Sequence, residues 1–355
     1  MLLPSPHSDA ATDALSPTGI SGLDHILHGG LPAHRLYLLR GEPGAGKTTL
    51  ALQYLMAGVE AGENGLYITL SETKDEVDAV ARSHGWNLDR IEIFELSALA
   101  AQLKDDEQNT VFHPSEVELN ETTAVLIAKI EQVKPRRIAL DSLSELRLLA
   151  DSALRYRRQM LALKQYFAGK RITVLMLDDH AGPGGGDLHV QRIAHGVIAL
   201  EQQATDYGAK RRRIEVMKLR GVDFVAGYHD AVIVRGGLQV FPRLIAAEHG
   251  MEHDREPLRT GNAEIDTLLG GGLGRGTSCL LLGPAGAGKS TLAMQFAAAA
   301  GSRGEKVFVY LFEENLELWL RRGEALGIPI KRLVEEGIVV AQRIDADRLQ
   351  RAEVE

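Results

Sequence analysis

The sequence predicts an α/β fold in which a mostly parallel sheet is flanked by helices, and it predicts this fold twice in one chain of 355 residues. Apolar runs the length of strands alternate with amphipathic stretches the length of helices, which is typical of a parallel sheet covered on both faces. The glycine-rich pattern G-x-x-x-x-G-K-[ST] occurs at residues 41–48 and again at 283–290. Other residues recur at the same spacing, which indicates that the second pattern belongs to a second copy of the domain.

The two copies are separated by a constant 242 positions. Lys289 follows Lys47 by 242 positions, and TGNAEIDTLLGGGLG at 260–274 follows TGISGLDHILHGGLP at 18–32 by the same distance. Such self-similarity indicates the tandem duplication of a whole domain. We therefore expect a flexible leader at 1–17, a first domain at 18–247, a linker at 248–257 and the N-terminal part of a second domain at 258–355.

The elements of the first copy follow from its hydrophobic periodicity. Six apolar runs predict strands at 35–41, 65–72, 91–96, 136–142, 172–177 and 196–201, and helical stretches begin after Gly46, Lys74, Ser115 and Asp151. Two alternating runs joined by Gly236 and Gly237 predict a closing hairpin over 231–241. The second copy repeats the order of apolar strand, glycine-rich loop and helix, with its strand in the run SCLLLG at 278–283.

Composition places the chain among globular proteins, with 45% hydrophobic and 25% charged residues. The formal net charge of −8 disfavours a nucleic acid as the main partner. No apolar run is long enough to cross a membrane, and the first residues lack the pattern of an export signal. The single cysteine, Cys279, falls in an apolar run, so we expect a buried thiol and a reducing, cytoplasmic environment.

Both glycine-rich loops predict nucleotide binding. Their backbone N–H groups turn inward toward phosphate oxygens, and the following helix adds a partial positive charge. Lys47 and Lys289 would reach the β and γ phosphates, and the hydroxyls of Thr48 and Ser290 would hold Mg²⁺. The alternative is a glycine turn with a helix-capping hydroxyl and no ligand. The candidate nucleotide-binding residues are Gly41, Glu42, Pro43, Gly44, Ala45, Gly46, Lys47, Thr48 and Thr49 in the first loop, and Gly283, Gly286, Ala287, Gly288, Lys289, Ser290 and Thr291 in the second.

A second magnesium residue is expected at the carboxyl end of a strand beside the loop. Two predicted strands end in aspartate, one at Asp141 and the other at Asp178 and Asp179. We choose Asp141, the first in chain order, and place the other two near the γ phosphate. Either strand end is alternatively a cap of the following helix, and this alternative is stronger for Asp178.

The order of these motifs resembles that of the KaiC-like ATPases, within the RecA superfamily. The matching stretches are TGI-x-GLD, GGLP, the glycine-rich loop, GE-x-x-LYITLSE, IALDS and VMKLRG. The resemblance implies a RecA-like P-loop domain that binds ATP and Mg²⁺ and assembles with itself into hexameric rings, with ATP between neighbouring subunits. It also implies that Lys218 and Arg220 reach the neighbour's nucleotide, although an ordinary edge strand would show the same alternation of basic and apolar residues.

The first copy departs from the family in one respect. The family pattern places two adjacent glutamates after the second strand, and the first of them is expected to activate the attacking water or hydroxyl. The second copy has Glu313 and Glu314, whereas the first copy has Ser71 and Glu72 at the aligned positions. Either Glu72 takes the role because the strand has already ended, or hydrolysis in the first domain is slow. Glu42 is a weaker substitute.

The resemblance favours a cytoplasmic, ring-forming ATPase in signalling or circadian-type regulation, with possible regulatory protein partners. Autophosphorylation of serine or threonine, as the clock-type members perform it, is expected only in a full-length form. One alternative is a DNA-associated ATPase of the RecA or RadA type, for which the loop at 182–187 and the run Arg211, Arg212 and Arg213 are the candidate contacts. Another is a nucleotide-gated scaffold that hardly hydrolyses ATP, for which Ser71 is the motivating residue.

The second copy is short. Positions equivalent to Asp141 and Arg220 would fall beyond Glu355, together with later strands of the sheet. Because parallel strands are normally buried between neighbours, we expect this copy to be an unfinished sheet that exposes apolar surface.

Overall fold

The computed structural model of the chain describes residues 14–96, 114–150, 152–179, 188–204, 210–244 and 256–344. The chain divides into two compact units, and we describe each by itself. The first comprises Met1–Asp206 with Lys210–Arg243, and the second comprises Tyr207–Ala209 with Leu244–Glu355.

The first unit contains eleven strands and seven helices among its described residues. In chain order they are β1 (Leu15–Ser16), α1 (Ser21–Ile26), β2 (Leu31–Pro32), β3 (Leu36–Gly41), α2 (Lys47–Glu60), β4 (Gly65–Thr69), α3 (Lys74–His84), β5 (Ile91–Glu95), α4 (Pro114–Val133), β6 (Arg137–Asp141), α5 (Leu143–Leu148), α6 (Ala153–Gly169), β7 (Thr173–Asp178), α7 (Leu188–Ile193), β8 (Gly196–Gln203), β9 (Arg211–Leu219), β10 (Tyr228–Val234) and β11 (Gly237–Phe241). β1 lies inside the stretch predicted as a leader and pairs with β2.

Nine of these strands form one sheet in the order β11-β10-β9-β8-β3-β7-β6-β4-β5. The strands from β8 to β5 are parallel to one another. β9, β10 and β11 continue the sheet in antiparallel fashion, and β10 and β11 form the predicted hairpin. The predicted α/β fold with a large, mostly parallel sheet is therefore confirmed.

Helices cover both faces of the sheet because successive strand residues point to opposite sides. In β3, Tyr37 and Leu39 face a core shared with α1, α2 and α3. Leu36 and Leu38 face a second core shared with α4, α5, α6 and α7. Burial of each such side chain contributes about 1.5–3 kcal/mol of transfer free energy, so the central strands are the most strongly anchored part of the unit.

Local signals fix where α3 begins and ends. The Thr73 hydroxyl caps the first turn by accepting from the Glu76 amide, and the Glu76 carboxylate accepts from the Thr73 amide in return. The helix ends at Gly85, whose φ of 77° is a left-handed conformation that favours glycine. The capping contacts at Thr73 thus fix where the segment that connects β4 to α3 ends.

Arg137, at the start of β6, joins three parts of the first unit. It is 2% exposed, and its Nη1 donates to the carbonyl of Pro17 at 2.6 Å and to that of Tyr54 at 2.9 Å. Its Nε pairs with the carboxylate of Glu63, and its guanidinium lies 4.7 Å from the Tyr54 ring centroid. The segment before α1, the α2 helix and the loop after α2 are thus all tied to β6 by one side chain.

We expect Arg137→Met to lower the free energy of unfolding by about 3 kcal/mol, because two carbonyls and one carboxylate lose their donor. Urea denaturation measures the change. Arg136→Met is the matched control, since Arg136 is the exposed neighbour in sequence. An equal loss in both variants would contradict the role assigned to Arg137.

The second unit contains α8 (Ala263–Leu268), α9 (Lys289–Ser302), β12 (Val307–Leu311), α10 (Leu316–Ala325), α11 (Ile330–Glu335) and β13 (Val339–Arg343). β12 and β13 form a two-stranded parallel sheet. Trp319, Ile330 and Leu333 pack in a small core beneath it. Phe308 and Tyr310 of β12 are 61% and 41% exposed, so one face of this sheet is apolar and uncovered within the described part of the unit.

The strand predicted at 278–283 is not formed, and the prediction of a buried Cys279 is wrong. Leu280 and Leu282 are 78% and 83% exposed, and Cys279 is exposed as well. The equivalent strand of the first unit, β3, is held between β7 and β8. Residues 256–344 contain no counterparts of those two strands, so the apolar run has no ladder to join.

Both units have the same clasp between a threonine and an aspartate. The amide and hydroxyl of Thr18 both donate to Asp24 Oδ1, at 2.7 and 2.8 Å. The amide and hydroxyl of Thr260 donate to Asp266 Oδ1 at 2.8 and 2.7 Å. This threonine–aspartate clasp precedes the glycine-rich loop in each unit.

Candidate functional site

The first glycine-rich loop connects β3 to α2 at the carboxyl edge of the sheet, where β3, β4, β6 and β7 end. Gly44 and Gly46 have φ values of 79° and 108°, which residues with a side chain rarely adopt. A Cβ on Gly46 would lie only 2.8 Å from Ile233 of β10. Because α2 begins directly at Lys47, the free amides of its first turn lie at the loop, as an anion-binding helix terminus requires.

Lys47 is almost fully buried in this loop. Its Nζ donates to the carbonyls of Gly41 at 2.8 Å and Glu42 at 3.0 Å. It also pairs with Asp179 Oδ1 at 2.9 Å. The ammonium group is therefore held at the mouth of the loop, where it faces any phosphate that the loop amides bind.

The two candidate magnesium residues of the first loop lie together. The Thr48 hydroxyl is 3.3 Å from Asp141 Oδ2, and the Tyr67 hydroxyl donates to the same oxygen at 2.6 Å. Burial raises the pKa of Asp141, and the nearby Asp179 raises it further, while the bond from Tyr67 lowers it. A divalent cation beside this carboxylate would favour its charged form, and Mg²⁺ usually takes only one or two protein ligands besides phosphate oxygens and waters.

Glu72 lies beyond the end of β4, because that strand stops at Thr69. The Thr69 hydroxyl accepts from the Glu72 amide at 2.8 Å and donates to the Glu72 carbonyl at 2.7 Å, which fixes the turn. Ser71 is exposed, whereas Glu72 is half-buried, and its Oε2 has no hydrogen-bond partner among the described residues. Burial raises the pKa of the Glu72 carboxyl, and Asp141 raises it further.

The adjacent aspartates at the end of β7 have different partners. Asp178 is buried and pairs with Arg147 Nη2 at 3.3 Å. Asp179 is more exposed and pairs with Lys47. Of the two, only Asp179 is an ion-pair partner of the loop lysine, and this arrangement follows from the alternation of side chains along a strand.

Gln202 is a site residue that the sequence reasoning missed. Its Nε2 donates to the Gly44 carbonyl at 2.6 Å, from the last part of β8. The tip of the loop is therefore fastened to the strand next to β3. A polar residue near the carboxyl end of a strand adjoining β3 was the only signal for it in the sequence.

Lys218 and Arg220 lie at the opposite edge of the sheet from the loop. Leu219, between them, pairs with Gly196 at the start of β8, whereas Gly41 of the loop pairs with Leu200. Four residues of extended strand separate these levels by about 13 Å. Lys218 and Arg220 are therefore not brought together with the phosphate loop of their own chain.

The second glycine-rich loop has fewer of the surrounding residues that the first loop has. Lys289 Nζ donates to the carbonyls of Gly283 and Pro284, both at 2.8 Å, as Lys47 does to the equivalent pair. Glu314 pairs with Arg322 at 2.7 Å, and Glu313 is exposed. Within residues 256–344, no strand precedes this loop and no aspartate stands beside Ser290 as Asp141 stands beside Thr48.

Comparison with known proteins identifies the family. A family model described as "ATPase: KaiC" matches residues 16–245 and again residues 258–354. The chain belongs to the KaiC family of ATPases. The resemblance inferred from the motifs is thereby confirmed, and the two matched segments agree with the duplication.

Named relatives of this KaiC-family chain are clock proteins. The circadian clock oscillator protein KaiC of Parathermosynechococcus lividus is 28% identical over 333 residues, which cover 91% of this chain and 60% of the relative. The circadian clock protein KaiC3 of Synechocystis sp. is 28% identical over 93% of this chain and 66% of the relative. KaiC of Synechococcus elongatus is 27% identical over 96% of this chain and 65% of the relative. The chain thus spans less than two-thirds of the length of these relatives.

The structure bears on the candidate contacts of the DNA-associated alternative. Arg213 pairs with Glu201 at 2.9 Å and stacks 3.8 Å from the Tyr228 ring centroid, so its charge is already engaged. The loop at 182–187 lies outside the described residues. None of the helices in the described ranges is long and apolar enough to cross a membrane.

We expect Asp179→Asn to tighten ATP binding by the first unit about two- to fivefold, because the carboxylate competes with phosphate for Lys47 and is more than one-third exposed. Titration calorimetry of the purified chain gives the dissociation constant. Asp75→Asn, which removes an exposed carboxylate from α3, serves as the control. Weaker binding by Asp179→Asn would mean that Asp179 assists the nucleotide instead.

Proposed function

We propose that the first unit binds ATP with Mg²⁺ and hydrolyses it, and that the chain assembles into rings with each nucleotide between two neighbouring subunits. The observation that supports this most is the distance between the phosphate loop and the basic residues Lys218 and Arg220. The loop with Lys47 lies at the carboxyl edge of the sheet, and Lys218 and Arg220 lie at the other edge. Lys218 and Arg220 cannot reach a nucleotide bound to the loop of their own chain, so they would act on the phosphates of a nucleotide bound to a neighbouring subunit.

The first glycine-rich loop and the residues that contact it would bind the nucleotide. The loop amides and Lys47 would hold the β and γ phosphates, with Gln202 fixing the loop tip through Gly44. Thr48 and Asp141 would hold Mg²⁺, and Tyr67 orients the aspartate. The cation, when bound, neutralises charge that develops on the phosphate oxygens.

Glu72 is the residue that we assign to the attacking water. It needs to lie outside the strand and near the loop, and both conditions hold, because β4 ends at Thr69 and the charge of Lys47 acts on its carboxyl. Its Oε2 is buried and has no partner within the described residues, so it offers an unused acceptor for the attacking water once that water enters the site. A raised pKa brings a carboxylate nearer to the strength that a general base needs at neutral pH.

Arg220 and Lys218 would act on the phosphates of the adjoining subunit. An arginine supplied across an interface stabilises the charge on the transferring phosphoryl group, and its effect reaches ~10³ to 10⁵ in rate where it is well placed. The arrangement makes hydrolysis depend on assembly, since neither chain holds a complete site alone.

The biological setting that we propose is signalling or circadian-type regulation, by analogy with the clock proteins that the chain resembles. In this setting the ATP state of a hexameric ring would change its shape and its binding of regulatory proteins. A second tier and autophosphorylation would require a second unit with a complete sheet, and the described residues of the second unit form only two strands.

Ser71 favours a second candidate function, a nucleotide-gated scaffold. The exposed serine stands where the family pattern has a glutamate, so the first carboxylate after β4 is that of Glu72. If Glu72 does not activate water, the first unit would bind ATP and assemble while releasing phosphate very slowly.

The proposed function is tested by measuring particle mass and phosphate release with and without ATP and Mg²⁺. We expect ATP-dependent assembly and phosphate release in the natural sequence, and loss of both in Lys47→Ala, because the interface is built around the nucleotide. Lys129→Ala, which removes a lysine paired with Glu92, is the control. ATP-dependent rings of unchanged mass in Lys47→Ala would overturn the proposal.

Glu72→Gln should abolish the remaining turnover, and Ser71→Glu should raise it by restoring a carboxylate. Since burial and neighbouring carboxylates raise the pKa of Glu72, its base form is lost at a higher pH than that of an ordinary glutamate. Turnover should therefore fall at correspondingly higher pH as the solution is acidified. Unchanged turnover in Glu72→Gln, with ATP still bound, would point to Glu42 or to the scaffold.

A further inference from the structure

Three basic side chains converge on the last turn of α7. Lys218 Nζ donates to the carbonyls of Gln191 and Ala194, both at 2.7 Å. Arg220 Nη2 donates to the Arg192 carbonyl at 2.9 Å. Lys164, which comes from α6, donates to the Ile193 carbonyl at 2.8 Å. Four consecutive carbonyls are thus shared among three cations from two different elements.

No ion pair between described residues involves any of these three cations. Burial lowers the pKa of Lys164, and the charge of Arg220 lowers it further. Burial and then Arg220 lower the pKa of Lys218 in the same way. The cations repel one another, and no carboxylate of the described residues balances them.

The adjoining His195 adds no charge. Burial lowers its pKa to about 4, and the charges of Lys164 and Arg35 add to that effect. Its neutral ring accepts from the Leu36 amide through Nδ1 at 3.1 Å. The imidazole therefore ties this region to the start of β3 and leaves the positive charge to the other side chains.

The end of a helix does not account for three cations. A helix C-terminus carries about half a negative charge, which is enough to favour a single basic side chain. Lys164 and Lys218 are half-buried and Arg220 is exposed, so each additional cation loses part of its hydration or is repelled by the others, and a bound anion would stabilise all three. The excess charge indicates a site for a ligand with several negative charges.

We propose that Lys164 belongs, with Lys218 and Arg220, to the group of cations that receives the phosphates of the nucleotide bound to the neighbouring subunit. The proposal rests on the proposed function, in which such a nucleotide faces this edge of the sheet. Lys164 contributes a third charge, and the carbonyls of α7 hold all three side chains in place until they bind phosphate oxygens. Lys164 is therefore a phosphate-binding residue supplied across the interface by α6, a helix outside the K-L-R-G stretch.

The first test compares phosphate release by assembled rings of Lys164→Met, Lys164→Arg and Lys170→Met. Lys164→Met keeps the apolar stem but removes the charge, so turnover should fall about tenfold or more, as expected for the loss of one hydrogen bond to a charged group. Lys164→Arg should keep most of the activity. Lys170→Met, a matched change on the residue after the same helix, where the lysine pairs with Glu131, should behave like the natural sequence.

The second test establishes that Lys164 acts across the interface. Lys164→Met chains have an intact phosphate loop, and Glu72→Gln chains have an intact cation group. In rings mixed from the two, some interfaces combine the intact halves, so turnover should exceed the mean of the separate variants. Thr48→Ala replaces Glu72→Gln in the mixture if that variant keeps its activity.

The outcomes separate the two proposals. If the natural sequence neither assembles with ATP nor releases phosphate, the proposed function fails, and this inference fails with it. If the natural sequence is active and Arg220→Ala loses turnover, whereas Lys164→Met equals the natural sequence, only the assignment of Lys164 is overturned. Loss of turnover without recovery in mixed rings would likewise overturn it, because Lys164 would then be a structural cap of α7.

Discussion

The central position of β3 is the constraint on which the rest of the first unit depends. A parallel strand is stable when strands pair with it on both sides, and β3 has β7 on one side and β8 on the other. The ends of those two strands supply Asp179 and Gln202, which hold Lys47 and the loop tip. In the second unit the equivalent run at 278–283 has no such neighbouring strands within residues 256–344. Its leucines are exposed, although the loop that follows has the same sequence pattern. A glycine-rich motif therefore becomes a site only through the sheet that surrounds it.

Charge in the first site is unevenly divided. Asp179 pairs with the ammonium group of Lys47, and Asp141 and Glu72 lie near enough for its charge to act on them. Burial and the nearby carboxylates raise the pKa values of Asp141 and Glu72. Negative charge is in excess at the carboxyl edge, and positive charge is in excess at the other edge, where Lys164, Lys218 and Arg220 lie. In the proposed assembly, copies would meet with unlike edges together, and each edge would supply the charge that the other lacks. Head-to-tail contacts of this kind close into rings when their rotation allows.

Periodicity was enough to predict the sheet, because strands buried on both faces read as continuous apolar runs and each predicted run of the first copy became a strand. The short helices α5 and α7 were missed, since six residues are too few to show a helical period. The loop residues and Asp141 could be proposed from the sequence because their chemistry depends on local spacing. Gln202 and Lys164 could not be proposed from the sequence, because their contacts join parts of the chain that are 158 and 29 residues apart. At 278–283 the sequence predicted a strand that is not formed, because an apolar run becomes a strand only where neighbouring strands pair with it.

The threonine–aspartate clasp forms in both units, although only one of them has a large sheet. Each clasp joins residues six positions apart, so its formation closes a very short loop and requires little chain entropy. Contacts of such short range form early, before strands distant in sequence can pair. Each clasp can therefore form before the strands that come much later in the sequence have been synthesised. A sheet that is completed afterwards would then be built onto a segment whose path is already restricted.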